Sequence, residues 1–324
     1  MKNVAIIMGG YSSEYKISLT SGNVVFNNIN RAKFNAYRIH VFKEKWVYVD
    51  ENNTEFPIDK NDFSVVVNGT KVNFDVVFNA IHGTPGEDGL MQAYFELLHI
   101  PQTSCDYYQA ALTFNKRDML SVLKPYGIKT AESYYLNLGD EINVETILAK
   151  VGLPCFVKPN KSGSSFGISK VKTAAEFLPA IENAYKEDDE IIIESFLDGT
   201  EVSVGVINYK GKVTVLPMTE IVSENDFFDY EAKYLGKSKE ITPARISEEL
   251  KEKIEIVAKR AYEVLKMKGF SRSEFIIVNN EPYMLEMNTI PGLTTESILP
   301  QQAREAGISL PELFENAIDL ALKK

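Results

Sequence analysis

The chain has 324 residues, 44% of them apolar and 25% charged, a composition typical of a globular protein with roughly two to three domains. Its 35 basic and 45 acidic residues leave a net charge of −10, which argues against a nucleic acid or an anionic membrane as the main partner. There are two cysteines, Cys105 and Cys155, and the N-terminus MKNVAIIMGG has too short an apolar run for a signal or a membrane span. We therefore expect a reducing, cytoplasmic setting.

The first hundred residues show strands alternating with helices. Apolar runs at 3–9 and 74–81 each end in a glycine-containing turn, and each is followed by helical spacing. This alternation predicts an α/β domain with a parallel sheet over residues 1–100. Ligands of such a sheet bind at the carboxyl ends of its strands, so Glu14 and His82 are expected near a binding site.

Residues 101–190 form a second predicted unit, with a helix containing Lys116 and a strand that ends at Lys158. The strand runs into the loop KPNKSGSSFG at 158–167, whose small residues let backbone N–H groups approach an anion closely. The loop lacks the residue order of a P-loop, and a plain turn is the common alternative for a Gly/Ser segment. The lysine at its start favours an anion-binding role.

Other residues could contact a nucleotide. Lys116, Lys158 and Lys233 are candidates for phosphate contacts, although a single lysine is more often solvated surface. The backbone of residues 195–197 could read an adenine edge, and Glu201 could accept a hydrogen bond from a ribose hydroxyl. For Glu194 and Glu201, ordinary polarity of a surface strand remains the alternative.

Residues 191–324 make the third predicted unit, which includes a long polar loop at 223–245 and a hairpin between 270 and 288. One face of this hairpin carries four polar residues, Arg272, Glu274, Glu286 and Asn288, provided that the residue numbers of each directly paired couple add up to an even number. A three-residue loop would give such a pairing. The other face would then carry the apolar residues Phe275, Ile277, Tyr283, Leu285 and Met287.

Two carboxylates and an amide oxygen on that polar face are the ligands that Mg²⁺ prefers in phosphate-handling sites. Any single acidic strand residue is more often simply exposed to solvent. Four polar groups on one face, followed at once by Pro291-Gly292, favour a metal site at Glu274, Glu286 and Asn288.

Five motifs, taken in order, resemble the D-alanine–D-alanine ligases of the ATP-grasp superfamily: GGYSSEYKISLTSG, HGTPGEDGLMQ, FVKPNKSGSSFGISKV, DYEAKY and MLEMNTIPGLTTES. The resemblance covers essentially the whole chain. It implies an ATP-grasp fold behind an N-terminal Rossmann-like domain, and a homodimer that uses ATP with two Mg²⁺ or Mn²⁺ ions per active site. The implied reaction phosphorylates one D-alanine and joins it to a second, giving the dipeptide for peptidoglycan.

The resemblance also implies a role for individual residues. Those implied to bind ATP are Lys116, Lys158, Ser165, Glu194, Ser195, Phe196, Leu197, Glu201 and Lys233. Those implied to bind metal are Glu274, Glu286 and Asn288. Those implied to bind or activate the D-alanine substrates are Glu14, His82, Ser164, Tyr234, Arg272, Gly292, Ser297 and Ile298.

Within the substrate group, Glu14 would hold the ammonium of the first D-alanine, and Ser164 with Tyr234 would link it to the loop over the site. Arg272 and the Gly292 backbone would stabilise a developing oxyanion. The loop 223–245 would be a lid that excludes water. Ser297, followed by Ile298, would contact the carboxylate of the second D-alanine.

The chain departs from the family at two of these positions, with Glu274 in place of a usual aspartate and Ile298 in place of a frequent leucine. Two other functions stay open. One is a ligase that joins D-alanine to D-lactate or D-serine, and Tyr234 argues against the lactate form. The other is a nucleotide-binding sensor without turnover, which the complete set of polar groups disfavours.

Overall fold

The computed structural model describes residues 1–163, 166–223 and 238–323. Within these residues the strands form three sheets, of seven, four and six strands. No helix in the described ranges combines the length and the apolar run that a membrane crossing requires. Cys105 and Cys155 are both buried free thiols.

The first sheet has the strand order β6-β5-β4-β3-β2-β1-β7. Its strands are β1 (Lys2–Gly9), β2 (Phe34–Val41), β3 (Trp46–Val49), β4 (Glu55–Asp59), β5 (Ser64–Val67), β6 (Thr70–Val72) and β7 (Val76–Asn79). Only β2, β1 and β7 pair in parallel, whereas β2 to β6 run antiparallel. The predicted parallel sheet is thus mixed. Asn68-Gly69, both with positive φ, closes the β5–β6 hairpin and was an available signal for the antiparallel part.

Helices α1 (Tyr15–Asn28) and α2 (Leu90–Leu97) pack with this sheet. A Cβ at Gly22 would lie 2.7 Å from the Met8 side chain, so the glycine lets α1 approach β1 closely. Ser18 and Ser21, on the same buried face, turn their hydroxyls toward the strand ends. The carboxyl ends of β1 and β7 therefore face polar groups.

The second sheet is antiparallel, with the order β10-β9-β11-β8. Its elements and the helices that precede or flank it are α3 (Tyr107–Phe114), α4 (Lys116–Leu123), β8 (Ser133–Asn137), α5 (Val144–Val151), β9 (Cys155–Pro159), β10 (Ser169–Val171), α6 (Phe177–Ala184) and β11 (Glu190–Ser195). The predicted helix with Lys116 begins at that residue. The Gly/Ser loop joins β9 to β10, as the sequence predicts.

The third sheet has the order β15-β14-β12-β16-β17, with β13 also paired to β12. Its elements and the C-terminal helices are β12 (Thr200–Tyr209), β13 (Lys212–Val215), β14 (Thr219–Ser223), β15 (Ser238–Ile241), α7 (Glu248–Val264), β16 (Phe270–Val278), β17 (Glu281–Asn288), α8 (Ile298–Glu305) and α9 (Leu310–Ala321). Strand β15 lies inside the segment that the sequence suggests is a long loop.

The hairpin of β16 and β17 reaches the predicted face by a different route from the one expected. Its turn has two residues, Asn279 and Asn280, with φ of 52° and 61°, and Val278 pairs with Glu281. With this turn alone, the residue numbers of paired positions would add up to an odd number along the whole hairpin. A β-bulge leaves Leu285 without a partner, so the register becomes even from the Glu274–Glu286 pair onward.

The bulge also changes which residues are buried. Met284 is fully buried, and Tyr283 and Leu285 are only partly buried, so the predicted place of these two residues in the apolar face is wrong. Phe275, Ile277 and Met287 are buried as predicted. A one-residue insertion shifts side chains to the opposite face on one side of the bulge only.

The N-terminal sheet and the C-terminal helices share one hydrophobic core. Phe78 of β7 packs edge-to-face on Phe314 of α9 at 5.6 Å between ring centroids, and Leu299 and Leu313 join the same buried cluster as Val4 and Ile6. Burial of apolar area is the main stabilising term in folding, so this cluster holds the two ends of the chain together. Polar groups on both are thereby held in fixed relation.

Candidate active site

The polar face of the β16–β17 hairpin brings four predicted residues together. Glu274 lies directly opposite Glu286, and Arg272 lies opposite Asn288. The Arg272 guanidinium contacts the Glu274 carboxylate, and Lys116 Nζ lies 3.2 Å from Glu286 Oε2. Two like charges directly across a strand pair repel each other. Each carboxylate here has a cation beside it.

Arg272 is buried among acidic side chains. Burial by itself lowers the pKa of its guanidinium, but the carboxylates of Glu274, Glu286 and Glu240 outweigh burial and raise that pKa. Arg272 therefore stays charged. A permanent positive charge with low exposure interacts strongly with any anion that enters, because the surroundings screen it poorly.

The same face suits a divalent cation. Cross-strand neighbours have Cβ atoms about 4.5 to 5.5 Å apart, close enough for both glutamates to reach one ion. Among the described residues no cluster of three His, Cys, Asp or Glu side chains has metal-binding geometry, so the protein ligands of a site here would be the two glutamates and the Asn288 amide. Asn288 Oδ1 already accepts from Ile290 N at 3.0 Å and has a second lone pair. The donor set fits Mg²⁺.

Glu14 reaches the site from the end of the loop after β1. Its carboxylate is enclosed by two glycines: a Cβ at Gly163 would lie 2.9 Å from Glu14 Oε2, and one at Gly83 would lie 3.2 Å from it. Gly83 comes from the loop after β7, and Gly163 belongs to the Gly/Ser loop. Glu14 is therefore the point where these two loops meet.

His82 is buried and uses both ring nitrogens. Nδ1 lies 2.8 Å from the Ile290 carbonyl, and Nε2 lies 2.9 Å from Ser21 Oγ. A carbonyl only accepts, so Nδ1 carries the proton and the Ser21 hydroxyl donates to Nε2. Ser21 Oγ in turn accepts from Leu293 N at 3.3 Å. Burial lowers the pKa of His82, so the ring is neutral at pH 7.

Glu87 is a residue of this region to which the sequence analysis assigned no role. It is buried, and its two carboxylate oxygens accept from Gly83 N at 2.6 Å and from Ile290 N at 3.3 Å. His82 and Glu87 thus hold the carbonyl and the amide of the same residue, Ile290. The loop after β7 is fastened in this way to the loop after β17. The signal was available, since Glu87 lies in the motif HGTPGEDG.

Glu87 should make the stability of the ligand-free protein depend on pH. Burial, with the Glu14 carboxylate nearby, raises the pKa of Glu87 to about 8 from its ordinary value of 4.5. The folded state then binds more protons than the unfolded state between those values, so the free energy of unfolding falls as pH rises through that window, by roughly 1.4 kcal/mol per pH unit.

The check is the free energy of unfolding of wild type and Glu87→Gln, measured with denaturant at several pH values from 5 to 8. The variant lacks the titrating group, so its stability relative to wild type should increase steadily with pH. Parallel pH profiles for the two proteins would show that Glu87 has an ordinary pKa.

Lys158 lies at the root of the Gly/Ser loop and is mostly buried. Burial alone lowers the pKa of its ammonium, but Glu194, Glu286 and Glu201 together raise it above the ordinary value. Its Nζ lies 2.7 Å from Glu194 Oε2. The other oxygen, Glu194 Oε1, is buried and has no hydrogen-bond partner among the described residues. A buried acceptor of this kind fits an amino group such as that of adenine.

The segment after Glu194 has part of its backbone already engaged. Ser195 N donates to Glu132 O at 2.9 Å, and Phe196 N donates to Pro154 O at 3.2 Å. Reading of an adenine edge would therefore fall to the Leu197 amide and to carbonyl oxygens of this segment. Glu201 lies on β12, paired with Ile276 of β16, and its charge reaches Lys158.

Gly292 and Ser297 lie together beyond the hairpin. A Cβ at Gly292 would lie 2.7 Å from Ser297 Oγ, and that hydroxyl is also 2.7 Å from Thr294 Oγ1. Ser297 is the N-cap residue of α8, and its side chain makes no capping hydrogen bond. Ile298 begins the helix and packs with Ile221 of β14. A helix N-terminus whose first N–H groups are not capped by the Ser297 side chain suits a carboxylate.

We call Glu14, His82, Arg272, Glu274 and Glu286 the polar junction, because charge effects connect them. The Glu14 and Arg272 charges act on His82, and those of Glu14 and Glu286 act on Glu87. Lys116 and Lys158 border it through Glu286. Four predicted residues lie outside the described part of the chain, and so does most of the predicted lid: Ser164, Ser165, Lys233 and Tyr234.

Comparison with known proteins identifies this arrangement. Residues 3–105 match the family described as D-ala D-ala ligase N-terminus, and residues 122–319 match D-ala D-ala ligase C-terminus. The chain is 79% identical to a D-alanine–D-alanine ligase of Flavobacterium johnsoniae, over 99% of this chain and 100% of the relative.

Solved structures agree. The VanG D-Ala:D-Ser ligase from Enterococcus faecalis superimposes with a TM-score of 0.86 at 32% identity, covering 99% of each chain. The D-alanine–D-alanine ligase from Bacillus anthracis complexed with ATP gives a TM-score of 0.81 at 26% identity, covering 100% of this chain and 98% of that one. The predicted ATP-grasp fold is confirmed, as is the resemblance read from the motifs. The chain belongs to the D-alanine–D-alanine ligase family.

Proposed function

We propose that the polar junction, with Lys116 and Lys158, carries out the reaction of the family in this chain. The chain is an ATP-dependent ligase that joins two D-alanine molecules for peptidoglycan synthesis. One observation carries the assignment to these residues: Glu274 and Glu286 face each other across the hairpin, with Arg272 beside one and Lys116 beside the other. This is a site for an anion and a cation together.

ATP would lie between the second and third sheets. Glu194 Oε1, which has no hydrogen-bond partner in the part of the chain that the structure describes, would accept from the adenine amino group. Glu201 would accept from a ribose hydroxyl. Lys116 and Lys158 would contact phosphate oxygens as point charges. We add Lys233 and Ser165 from the family resemblance. The Bacillus anthracis ligase has been solved with ATP, which supports a nucleotide site in this fold.

The first step would make an acyl phosphate. Glu14, enclosed by Gly83 and Gly163, would hold the ammonium of the first D-alanine. A carboxylate oxygen of that substrate would attack the γ-phosphorus of ATP, and ADP would leave. Arg272 would offset the negative charge on the transferring group, since phosphoryl transfer depends mainly on positioning and electrostatic stabilisation.

The second step would form the peptide bond. The amine of a second D-alanine would attack the acyl carbon, and the resulting oxyanion would face Arg272 and the Gly292 N–H. The tetrahedral intermediate would then expel phosphate, and the proton lost by the attacking nitrogen would leave with that phosphate. Ser297 and the N-terminus of α8 would hold the carboxylate of the second substrate, next to Ile298. Both nitrogens of His82 are engaged, so we assign it to the wall of the first-substrate pocket, not to proton transfer.

Two Mg²⁺ or Mn²⁺ ions would be held by Glu274, Glu286 and Asn288, and would neutralise charge on the nucleotide phosphates. The extra methylene of Glu274 relative to aspartate would be absorbed by the strand position. We also propose that residues 223–245 form a lid, with Tyr234 linked to Ser164. Such a lid would keep water from a hydrolysable acyl phosphate.

The direct test is release of phosphate from ATP in the presence of D-alanine, with and without Mg²⁺. We expect release only when both are present, with D-alanyl-D-alanine as the product. Mixtures of D-alanine with D-serine or D-lactate separate the related activities. A mixed dipeptide or a depsipeptide as the main product at neutral pH would contradict the proposed substrate, and ATP binding without turnover would indicate a sensor.

Gly163→Ala is expected to raise the Michaelis constant for the first D-alanine about tenfold, with little loss of stability. The new methyl group would lie 2.9 Å from Glu14 Oε2, the mobile end of a side chain, so the carboxylate would move while the fold remains. Steady-state kinetics with D-alanine and a thermal melt measure the two effects. A constant for ATP that rises as much as that for D-alanine would argue against this placement of Glu14.

We further propose that the protein is a cytoplasmic homodimer. The buried free thiols of Cys105 and Cys155 suit a reducing compartment. Leu97 of α2 and Tyr108 of α3 are 80% and 59% exposed, which leaves apolar surface for a partner subunit. Light scattering on the purified protein should give twice the mass of one chain, and a monomer at micromolar concentration would contradict the dimer.

A further inference from the structure

Asn160 lies at the start of the Gly/Ser loop, immediately after β9, and its side chain is completely buried. Its Nδ2 donates to Asn115 Oδ1 at 2.8 Å and to Glu190 Oε2 at 2.7 Å, and its Oδ1 accepts from Arg117 N at 2.9 Å. Its backbone N–H donates to Glu190 O at 2.9 Å. One amide side chain thus connects the loop to the start of α4 and to the start of β11.

These bonds fix the helix that carries Lys116. The first N–H groups of a helix have no partner within it. In α4, Asn160 O accepts from Lys116 N at 3.4 Å, Asn160 Oδ1 accepts from Arg117 N, and Asn115 Oδ1 accepts from Asp118 N at 3.1 Å. Asn160 therefore caps α4 from outside the helix, and it also holds the side chain of the N-cap residue.

The hydrogen bonds of Asn160 also hold the segments around both lysines of the proposed phosphate site. Lys116 Nζ turns back to donate to Ser162 O at 2.8 Å, in the loop that Asn160 begins. Lys158 precedes Asn160 by two residues on β9 and pairs with Glu194 of β11, the strand whose first residue is Glu190. Asn160 is thus hydrogen-bonded to α4, which carries Lys116, and to β11, which carries Glu194, the ion-pair partner of Lys158.

We propose that Asn160 is a positioning residue for ATP: it sets the spacing between Lys116, Lys158 and the Gly/Ser loop, and it does not touch the nucleotide itself. This inference rests on the proposed role of the two lysines as phosphate contacts. The hydrogen bonds of Asn160 go to residues 115–117 and 190, beside the two lysines, whereas the same loop faces Glu14 at Gly163, three residues further on. The proposal therefore predicts a larger effect on ATP binding than on D-alanine binding.

The principal variant is Asn160→Asp, which keeps the shape of the side chain and removes both donors. The new carboxylate faces the Glu190 carboxylate and the Asn115 oxygen, so α4 and the loop should separate. We expect the Michaelis constant for ATP to rise about tenfold or more, because hydrogen bonds to a charged group are lost. The constant for the first D-alanine should rise less than that for ATP, because the loop faces Glu14 at Gly163 and not at Asn160. Asn160→Ser, without the added charge, should give a smaller change in the same direction, and it keeps the test available if the aspartate variant does not fold.

Two further variants distinguish positioning from a general loss of stability. Asn160→Asp combined with Glu190→Gln restores a donor toward position 160 and should lower the constant for ATP again. Asn316→Asp is the matched control, since Asn316 Nδ2 donates to Asn208 O at 2.8 Å and Oδ1 accepts from Lys210 N at 2.8 Å, between α9 and the β12–β13 hairpin. It should lower the melting temperature and leave the constant for ATP unchanged.

Equal effects of Asn160→Asp and Asn316→Asp on both stability and kinetics would overturn the proposal. Lys116→Met serves as the reference for the proposed function. If Lys116→Met weakens ATP binding and Asn160→Asp does not, positioning by Asn160 is wrong and the lysine assignment stands. If Lys116→Met has no effect on ATP binding, the phosphate site itself is misplaced and the positioning proposal falls with it.

Discussion

Replacing Arg272 with methionine is expected to lower turnover by about 10²-fold or more and to leave ATP binding nearly intact, the size of effect found when an oxyanion donor is lost. Arg272 is charged, mostly buried and opposite Asn288 on the hairpin face. No other described cation contacts Glu274 in the structure, and a neutral side chain cannot replace the charge at the reacting carbonyl. Single-turnover kinetics and ATP titration measure the two quantities.

The variant also leaves the Glu274 carboxylate without its partner, so a loss of stability has to be separated from a loss of catalysis. Lys2→Met is the control. Lys2 Nζ lies 2.7 Å from Asp75 Oδ1, at the start of β1 and so at the opposite end of that strand from the proposed site. It should lower stability slightly with turnover within about twofold of wild type. Equal turnover for the two variants would remove Arg272 from the reaction.

Replacing Glu286 with glutamine is expected to lower turnover by about 10²-fold or more and to raise the Mg²⁺ concentration required, because one of two carboxylate ligands is lost. Stability should change by less than about 1 kcal/mol. The lost contact to Lys116 lowers it, and relief of the repulsion from Glu274 across the strand pair raises it. A loss of activity without a loss of stability is the signature of a ligand.

Glu281→Gln supplies the control for this experiment. Glu281 lies at the turn end of the same strand and pairs with Lys129 at 3.2 Å, as well as with Lys253. It should leave both turnover and the Mg²⁺ dependence unchanged. If Glu286→Gln retains a wild-type Mg²⁺ titration, the hairpin does not hold the ion, whatever happens to the rate.

Glu87 and Asn160 are not proposed to contact a substrate. Each acts on the site by holding backbone groups of the segments that carry the proposed site residues. Glu87 and His82 hold the Ile290 peptide unit, two residues from Asn288 and from Gly292. Asn160 holds the helix of Lys116. The residues proposed to meet substrate are thus supported by buried polar groups from other sheets, which is how a site keeps its geometry.

The sequence by itself determined the family and the residues of the hairpin. Turn-forming residues, apolar periodicity and short motifs are local properties of the chain, so a helix containing Lys116, the Gly/Ser loop after Lys158 and the hairpin that carries residues 272, 274, 286 and 288 could be predicted directly. The first sheet was predicted as parallel, and the turn residues Asn68-Gly69 could have indicated its antiparallel part.

Only the tertiary structure decided how these parts meet. The bulge at Leu285 corrects the register that a two-residue turn would otherwise give, because a slip of one residue turns every side chain to the other face. The partners of Glu87 and Asn160 lie up to 203 residues away along the chain. Such hydrogen bonds form because buried polar groups need partners, and which partners are near depends on packing between sheets, which no local pattern encodes.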